Sequence, residues 1–269
     1  MSILRYSAFT KDPSGGNRAG VVLDASGMTD DHMLSIAADL GYSETAFVIH
    51  VEDRTYDVRY FSPLAEVAFC GHATIATAVA LAAEVGPGPL IFRTPAGVIE
   101  VATGDGTASL TSVPTTSEPA DPDLVTGTLE ALGWKENDLD PSFPIHVGLG
   151  GNRHLLLAAA SRERLADLDY DFEALKELML ANDLTTVHLF WRESPELVHA
   201  RDPFPVGGVV EDAATGAAAA AFGGYLRDLE GPQRFVIHQG YDMGRPSRLE
   251  VDATREDRRV TVTGSAVTI

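Results

Sequence analysis

The sequence predicts an α+β protein of two pseudo-symmetric domains, each a curved mixed sheet around a buried central helix. Two segments, residues 75–83 and 217–226, have helical composition and consist mainly of small apolar residues. Neither segment has a polar face, so both should be buried on all sides. Each is entered through a polar turn that contains glycine, and each follows alternating strands and an amphipathic helix. The two segments lie about one domain length apart, which indicates an internal duplication.

The first half begins with a hairpin across a glycine-rich turn at residues 14–17. Thr29 is a suitable N-cap for the amphipathic helix that follows, and Gly41 ends that helix. β-Branched and aromatic residues then predict strands on both sides of the first small-residue helix. The strands predicted for this half are 20–23, 43–49, 56–61, 91–93, 98–101 and 108–111.

The second half repeats this plan after a segment rich in proline, threonine and aspartate, residues 114–122, which we interpret as a linker. A glycine turn at 148–152 joins two strands, and an amphipathic helix at 172–181 precedes the second small-residue helix. The predicted strands are 145–147, 155–159, 187–191, 235–238 and 249–251. The two domains are therefore placed at residues 1–115 and 116–258.

Composition excludes several classes of function. The 269 residues include 39 aspartates and glutamates against 20 lysines and arginines, a formal net charge of −19 that repels nucleic acids. No apolar run approaches the roughly 18–20 residues of a membrane helix, and the amino terminus lacks a signal-peptide core. We therefore expect a cytoplasmic protein. Its single cysteine, Cys70, excludes an internal disulfide and a multi-cysteine zinc site.

The entrances of the two buried helices are candidate anion sites. The first turn of a helix has N–H groups without helical partners, and the helix dipole places positive charge there. If the domains face each other, the turns at Gly71 and at Thr215, Gly216 and Ala217 point into one cleft and could hold a carboxylate. Ordinary capped helix starts would give the same pattern, and they are the commoner case.

Glu44 is the most suggestive carboxylate in the sequence. In the predicted strand it shares a face with Ala46 and Val48, so its charged form would be desolvated. Desolvation raises the pKa of a carboxyl group toward neutrality, which suits proton transfer. Asp212 lies between valines and an alanine run and follows the same logic. Each could equally be a structural residue at the end of a strand or helix.

His72 and Cys70 lie at the first helix entrance. His72 could donate to a substrate, or it could be a core histidine bonded to the backbone. The helix start could lower the pKa of the Cys70 thiol, whereas a buried cysteine is more often simply a small apolar residue. The eight histidines form no His-Glu-x-x-His motif, so no metal site is predicted.

Four short motifs, taken together and in order, resemble those of the PhzF-like family of isomerases, named after the phenazine-biosynthesis enzyme. They are Ser-Glu-Thr-Ala-Phe at 43–47, Cys-Gly-His-Ala-Thr at 70–74, Glu-Asp-Ala-Ala-Thr-Gly at 211–216 and the segment 239–247. Asn17 adds a weaker match. The motifs span nearly the whole chain, and as a set they are specific.

The resemblance implies a diaminopimelate epimerase-like fold with the active site between the two domains. Glu44 would then be the acid/base, His72 and Asp212 would position the substrate, and Gly71 and Gly216 would donate backbone N–H groups to its carboxylate. The family acts without metal or cofactor, its members are commonly homodimers, and its namesake isomerises a dihydro-hydroxyanthranilate. The last strand, 259–269, could join the first domain, although spacing alone leaves this open.

The sequence departs from the family pattern at several positions. Ala213 and Arg18 stand where the family usually has proline, and Ala217 stands in place of a serine whose hydroxyl contacts the substrate. Cys70 matches the epimerase relatives and not the namesake enzyme. The prediction is therefore a cofactor-independent isomerase acting on a small carboxylate. The alternatives are an epimerase or dehydratase based on Cys70, and a binding protein that lost the chemistry.

Overall fold

The computed structural model describes residues 2–269, which fold into a sheet-rich α+β structure with seventeen strands and six α-helices. The helices are α1 (Asp30–Leu40), α2 (Gly71–Val85), α3 (Pro122–Leu132), α4 (Arg162–Ala166), α5 (Phe172–Ala181) and α6 (Gly216–Glu230). The strands of the first half are β1 (Leu4–Ala8), β2 (Asn17–Val22), β3 (Glu44–Glu52), β4 (Thr55–Phe61), β5 (Glu66–Val67), β6 (Gly88–Thr94), β7 (Gly97–Thr103) and β8 (Thr107–Thr111). Those of the second half are β9 (Thr116–Pro119), β10 (His146–Leu149), β11 (Arg153–Ala158), β12 (Thr186–Ser194), β13 (Leu197–Pro203), β14 (Glu211–Asp212), β15 (Arg234–Gln239), β16 (Ser247–Asp252) and β17 (Thr261–Thr268).

Eight strands close into a ring around α2. Their order is β1, β2, β3, β4, β6, β7, β8 and β17, and β17 pairs again with β1. The pairs β2–β3 and β4–β6 are parallel, and the other pairs are antiparallel. Every residue of α2 from Gly71 to Ala82 is buried, because its small side chains let the strands approach the helix. The prediction of a helix buried on all sides is confirmed.

A second curved sheet covers α6. It runs through β9, β10, β11, β12, β13, β15, β16 and β17, with β11–β12 and β13–β15 parallel. The order of antiparallel and parallel pairs from β10 to β16 is the same as that from β1 to β7. β17 belongs to both sheets, since it pairs with β16 at one end and with β1 at the other.

The remaining helices lie outside the sheets. α1 begins at the predicted N-cap Thr29, whose side chain accepts a hydrogen bond from the His32 N–H, and it ends at Gly41 in the left-handed conformation. It packs on β3 and β4, and α3 packs against α5. Within residues 2–269, no helix combines the length and apolar character needed to cross a membrane.

The interpretation of residues 114–122 as a linker is wrong. The segment contains β9, which pairs with β10, and it runs directly into α3. Asp121 caps this helix by accepting from the Asp123 N–H, Pro122 occupies its first position, and Gly133 ends it with positive φ. Proline at the first helical position has no N–H to lose and a suitable φ, so here it starts a helix and does not interrupt one.

Candidate active site

The amino ends of α2 and α6 meet at their first glycines. A Cβ atom added to Gly71 would lie 2.7 Å from Cα of Gly216 and 3.0 Å from the backbone nitrogen of Ala217. The side chains of the N-cap residues, Cys70 and Thr215, accept no hydrogen bond from the backbone N–H groups of the first turns. The free N–H groups and the positive dipole ends of two helices are thus directed to one place, which suits a carboxylate.

Glu44 lies beside these helix ends, at the first position of β3, with only 5% of its surface exposed. Burial raises the pKa of its carboxyl group to about 7, against the opposing effect of hydrogen bonds from Ser43 and Cys70. Its Oε2 atom lies 3.5 Å from Nε2 of His72. Burial lowers the pKa of His72 to about 3, so this imidazole is neutral near pH 7 and the contact is not an ion pair. Glu44 is therefore a carboxyl group that can both take and return a proton at neutral pH.

Cys70 is buried next to the same imidazole, with its Sγ atom 3.3 Å from Nδ1 of His72. Burial, and then the negative charge of Glu44, raise the pKa of its thiol well above the usual range. The expectation that the helix start lowers this pKa is wrong, because desolvation by burial is the largest influence on the thiol and raises its pKa. The thiol is accordingly protonated at neutral pH.

Asp212 approaches from the other half, on β14. Its Oδ2 atom accepts a hydrogen bond of 2.7 Å from the Thr215 hydroxyl, and its Oδ1 atom accepts from the Asn17 amide. Asn17 Nδ2 also lies 3.0 Å from Nδ1 of His72, so one side chain connects residues of the two halves. Burial, and then the charge of Glu44, raise the pKa of Asp212 well above its usual range.

Gln239 fixes the turn that carries Thr215. Its Oε1 atom accepts from the Thr215 N–H at 3.0 Å, and its Nε2 atom donates to the Asp212 carbonyl at 2.8 Å and to the Thr215 hydroxyl at 3.0 Å. The residue lies within a motif that carried the family resemblance, but the sequence offered no reason to assign it to the site. Its contacts show that it orients a helix entrance.

The structure brings all nine predicted site residues together. A narrow cavity is lined by eight of them: Glu44, Cys70, Gly71, His72, Asp212, Thr215, Gly216 and Ala217. The ninth, Asn17, does not line the cavity but contacts His72 and Asp212. Ala217 does line the cavity, to which it presents a methyl group and no hydroxyl. The sequence reasoning missed six lining residues: Phe69, Asn152, His154, Thr185, Thr186 and Phe204.

Asn152 could have been found from a short repeat. Residues 150–153 read Gly-Gly-Asn-Arg, as do residues 15–18 around Asn17. The turn at 148–152 was interpreted only as a hairpin connection, which it is, between β10 and β11. Its asparagine nevertheless enters the site, where Nδ2 donates to the Phe69 carbonyl at 3.0 Å.

Three buried side chains of the site have the donor types of a transition-metal site. One potential ligand atom from each of Glu44, Cys70 and His72 lies within 4.8 Å of the other two. Binding would require the Cys70 thiol to lose its proton, which its raised pKa opposes. The same atoms are the ones that proton transfer would use.

Comparisons with known proteins agree along the whole chain. A model of the phenazine biosynthesis-like protein family matches residues 6–269. The chain is 32% identical to an uncharacterized isomerase of Bacillus subtilis, over 98% of this chain and 95% of the relative. It is also 32% identical to the trans-2,3-dihydro-3-hydroxyanthranilate isomerase of Pseudomonas aeruginosa, over 94% and 91% of the two chains.

Solved structures show the same similarity. A PhzF-family phenazine biosynthesis protein of Bacillus anthracis aligns over 99% of this chain and 96% of its own, with a TM-score of 0.85 and 26% identity. A hydroxyproline epimerase of Agrobacterium vitis aligns over 99% and 90%, with a TM-score of 0.68 and 14% identity. At that identity the second likeness concerns the fold alone.

Proposed function

Since the chain belongs to the phenazine biosynthesis-like (PhzC-PhzF) family and is an enzyme of the isomerase class, we propose that it moves a proton on a small carboxylated substrate by acid/base catalysis without metal or cofactor. The observation that carries this proposal is Glu44, a buried carboxyl group with a pKa of about 7 beside two helix amino ends. A general acid/base works best when its pKa lies near the working pH.

The reaction follows from the charges around Glu44. The substrate carboxylate accepts hydrogen bonds from N–H groups in the first turns of α2 and α6, which places a neighbouring carbon against Glu44. The ionised Glu44 removes a proton from that carbon. The resulting carboxylic acid, whose proton exchanges with water during the reaction, then delivers a proton to a different carbon. Neutral His72 and the carboxyl group of Asp212 position the substrate on either side. The relative from Pseudomonas aeruginosa suggests a dihydro-hydroxyanthranilate as the first substrate to test.

We also propose that residues 1–115 with 259–269, and residues 116–258, are two pseudo-symmetric domains. The repeated order of strand pairs supports this, and so do two ion pairs that connect corresponding strands. Arg59 on β4 bonds to both carboxylate oxygens of Glu66 on β5, at 2.7 and 2.6 Å. Arg201 on β13 makes the same bidentate contact with Glu211 on β14.

A second pair of contacts crosses between the halves in both directions. Asn17 donates to the Ala214 carbonyl at 3.2 Å, and Asn152 donates to the Phe69 carbonyl at 3.0 Å. Each asparagine thus contacts the residue before the N-cap of the other half's buried helix. A crystal structure in which the two halves did not superpose strand by strand would contradict this proposal.

The homodimer remains a proposal that rests on the family resemblance, and the cytoplasmic location remains one that rests on the composition of the sequence. Light scattering coupled to size-exclusion chromatography tests the first of them. A mass near twice 28.6 kDa would support the dimer, and a mass near 28.6 kDa would exclude it under those conditions.

The test of the reaction is deuterium uptake from heavy water into small carboxylates, followed by mass spectrometry or NMR. The panel includes trans-2,3-dihydro-3-hydroxyanthranilate, and wild type is compared with Glu44→Gln. The matched control is Glu52→Gln, since Glu52 lies at the exposed far end of the same strand. We expect uptake with wild type and the control, and none with Glu44→Gln.

The other outcomes separate the alternatives. Equal uptake in wild type and Glu44→Gln would remove Glu44 from the mechanism and favour an epimerase or dehydratase based on Cys70. Tight binding of a carboxylate without any exchange would favour a binding protein on the same fold. In either case the proposal of Glu44 as acid/base fails.

A further inference from the structure

A hydrogen-bonded network of four buried polar side chains ends at the cavity, on the side of the second sheet. It consists of His154 on β11, Thr186 and His188 on β12 and Asp202 on β13, none of them more than 1% exposed. The proposed proton transfer uses none of them. His154 and Thr186 line the cavity together with Glu44 and the two helix entrances.

The donor and the acceptor of each hydrogen bond in this network that leads to His154 can be assigned, starting from Asp202. The Thr186 hydroxyl donates to Oδ1 of Asp202 at 3.2 Å, and Nδ1 of His188 lies 3.0 Å from the same oxygen. The Thr186 hydroxyl has one proton, and that proton is directed to Asp202. Its oxygen must therefore accept in the contact of 2.8 Å with Nδ1 of His154.

This direction fixes the tautomer of His154. Burial lowers the pKa of its imidazole to about 3, so the ring is neutral and carries a single N–H. That N–H lies at Nδ1, which leaves a free electron pair at Nε2. Nε2 is buried, and no residue in the described part of the chain gives it a hydrogen-bond partner.

A buried acceptor without a partner is costly, and the cavity is where a partner could come from. Nε2 of His188 also lacks a partner among residues 2–269, but that ring packs against Phe190 and Phe222 and does not line the cavity. Of the two histidines, only His154 is thus positioned to contact a substrate.

We propose that Nε2 of His154 accepts a hydrogen bond from the substrate, and that the enzyme therefore selects small carboxylates that also carry a hydroxyl or amino donor. This inference rests on the proposed function for the place of the substrate, which lies between the helix ends and β11. Asp202 and Thr186 are positioning residues, because they act only by holding His154 in the accepting tautomer.

Binding of three aromatic carboxylates, measured by calorimetry, tests the selection without requiring turnover. The probes are 3-hydroxyanthranilate, 3-methoxyanthranilate, whose hydroxyl is blocked, and 3-hydroxybenzoate, which lacks the amine. Wild type should bind 3-hydroxyanthranilate about tenfold more tightly than the probe that lacks the donor, as one hydrogen bond would give. That probe is 3-methoxyanthranilate if His154 accepts from the hydroxyl, and 3-hydroxybenzoate if it accepts from the amine. The same difference should vanish in His154→Leu and return in part in His154→Gln, whose amide oxygen can accept.

A steric or purely structural role of His154 gives a different pattern. If a methoxy group binds weakly only because of its size, the difference persists in His154→Leu. Equal selectivity of wild type and His154→Leu toward all three probes would overturn the proposal. Asp202→Asn is a further test, because its amide could donate to Thr186, turn that hydroxyl toward His154 and weaken the preference for the donor.

A second measurement is independent of any ligand and of catalysis. Nitrogen-15 NMR of the histidine rings, with His154 assigned from the His154→Gln variant, should show a proton on Nδ1 and none on Nε2. A proton on Nε2 would overturn the inference even if none of the probes binds. Loss of deuterium exchange in Glu44→Gln concerns the proposed function only, so the two can fail separately.

Discussion

The proposed acid/base role of Glu44 predicts that catalysis depends on pH. Since burial holds the pKa of its carboxyl group at about 7, the base should be mostly protonated at pH 6 and mostly ionised at pH 8. We expect kcat/KM to rise about tenfold per pH unit below pH 7 and to level off above it. A profile that is flat between pH 5 and 8 would show that another group removes the proton.

The ionisation of Glu44 should also affect the stability of the fold, but in the opposite sense: stability should fall as the pH rises. The folded protein keeps a proton on Glu44 up to about pH 7, whereas the unfolded chain loses it near the ordinary value of 4.5. The stabilising contribution is therefore complete below pH 4.5 and is lost as pH rises to 7, at a cost of roughly 3 kcal/mol. In urea unfolding, Glu44→Gln should be more stable than wild type at pH 8, and this gain should shrink by pH 5.

Cys70 provides a second test at this scale. Its thiol is protonated at neutral pH because burial and the charge of Glu44 oppose its ionisation, so it is a poor base. We expect Cys70→Ala to keep at least about a tenth of the wild-type kcat/KM, the loss reflecting a small packing defect. Cys70→Ser is the control for size, and a loss of about a thousandfold in both variants would make the thiol the base.

At the scale of elements, the contact between α2 and α6 leaves no room for a side chain. We expect Gly71→Ala to push the two helix ends apart and to lower kcat/KM by about a hundredfold, because the added Cβ would meet backbone atoms of Gly216 and Ala217. The control is Gly127→Ala in α3, where the added Cβ would meet only the flexible end of Leu178, at 3.1 Å. Circular dichroism should show both variants folded, and full activity of Gly71→Ala would mean that the helix ends need not touch.

Elements with a strong local signal were predictable from the sequence. The two small-residue helices, and α1 with its cap at Thr29, follow from composition and periodicity, which act over one or two turns. α3 was missed because proline and aspartate were weighed as loop residues, although Asp121 and Pro122 are also helix-start signals.

The site was predictable only in part, because its residues meet through tertiary packing. Motif order led to Glu44, His72 and Asp212, but nothing local indicates that His154 lines the same cavity. Its imidazole is oriented by Thr186 and Asp202, which lie on two neighbouring strands far along the chain. Sequence reasoning assigns residue types to strands more easily than it finds which strands become neighbours.

At the scale of the whole molecule, a net charge of −19 opposes the approach of an anionic substrate. Arg18 is exposed next to Asn17. Burial, and then the positive charge of Arg18, lower the pKa of Arg245, whose guanidinium donates hydrogen bonds to the carbonyls of Gly15 and Gly16. These arginines provide local positive charge beside the site.

We expect Arg18→Gln to raise KM for a carboxylate about threefold at low salt, with kcat nearly unchanged. Since salt screens charges beyond roughly 10 Å at 0.1 M, the difference should largely disappear in 0.5 M sodium chloride. Arg255→Gln, which removes a charge from an exposed pair with Asp257, serves as control. An unchanged KM in Arg18→Gln at low salt would show that this residue does not guide the substrate.

Because the only cysteine is buried, the rate at which its thiol is modified can be used to measure how often the cleft opens. With Cys70 6% exposed, we expect a thiol reagent such as dithionitrobenzoate to reach its sulfur mainly when the two proposed domains separate. The rate of colour release would then count opening events, and a bound carboxylate should slow it in proportion to occupancy. Modification as fast as that of a free thiol would mean that the closed arrangement is rarely populated in solution.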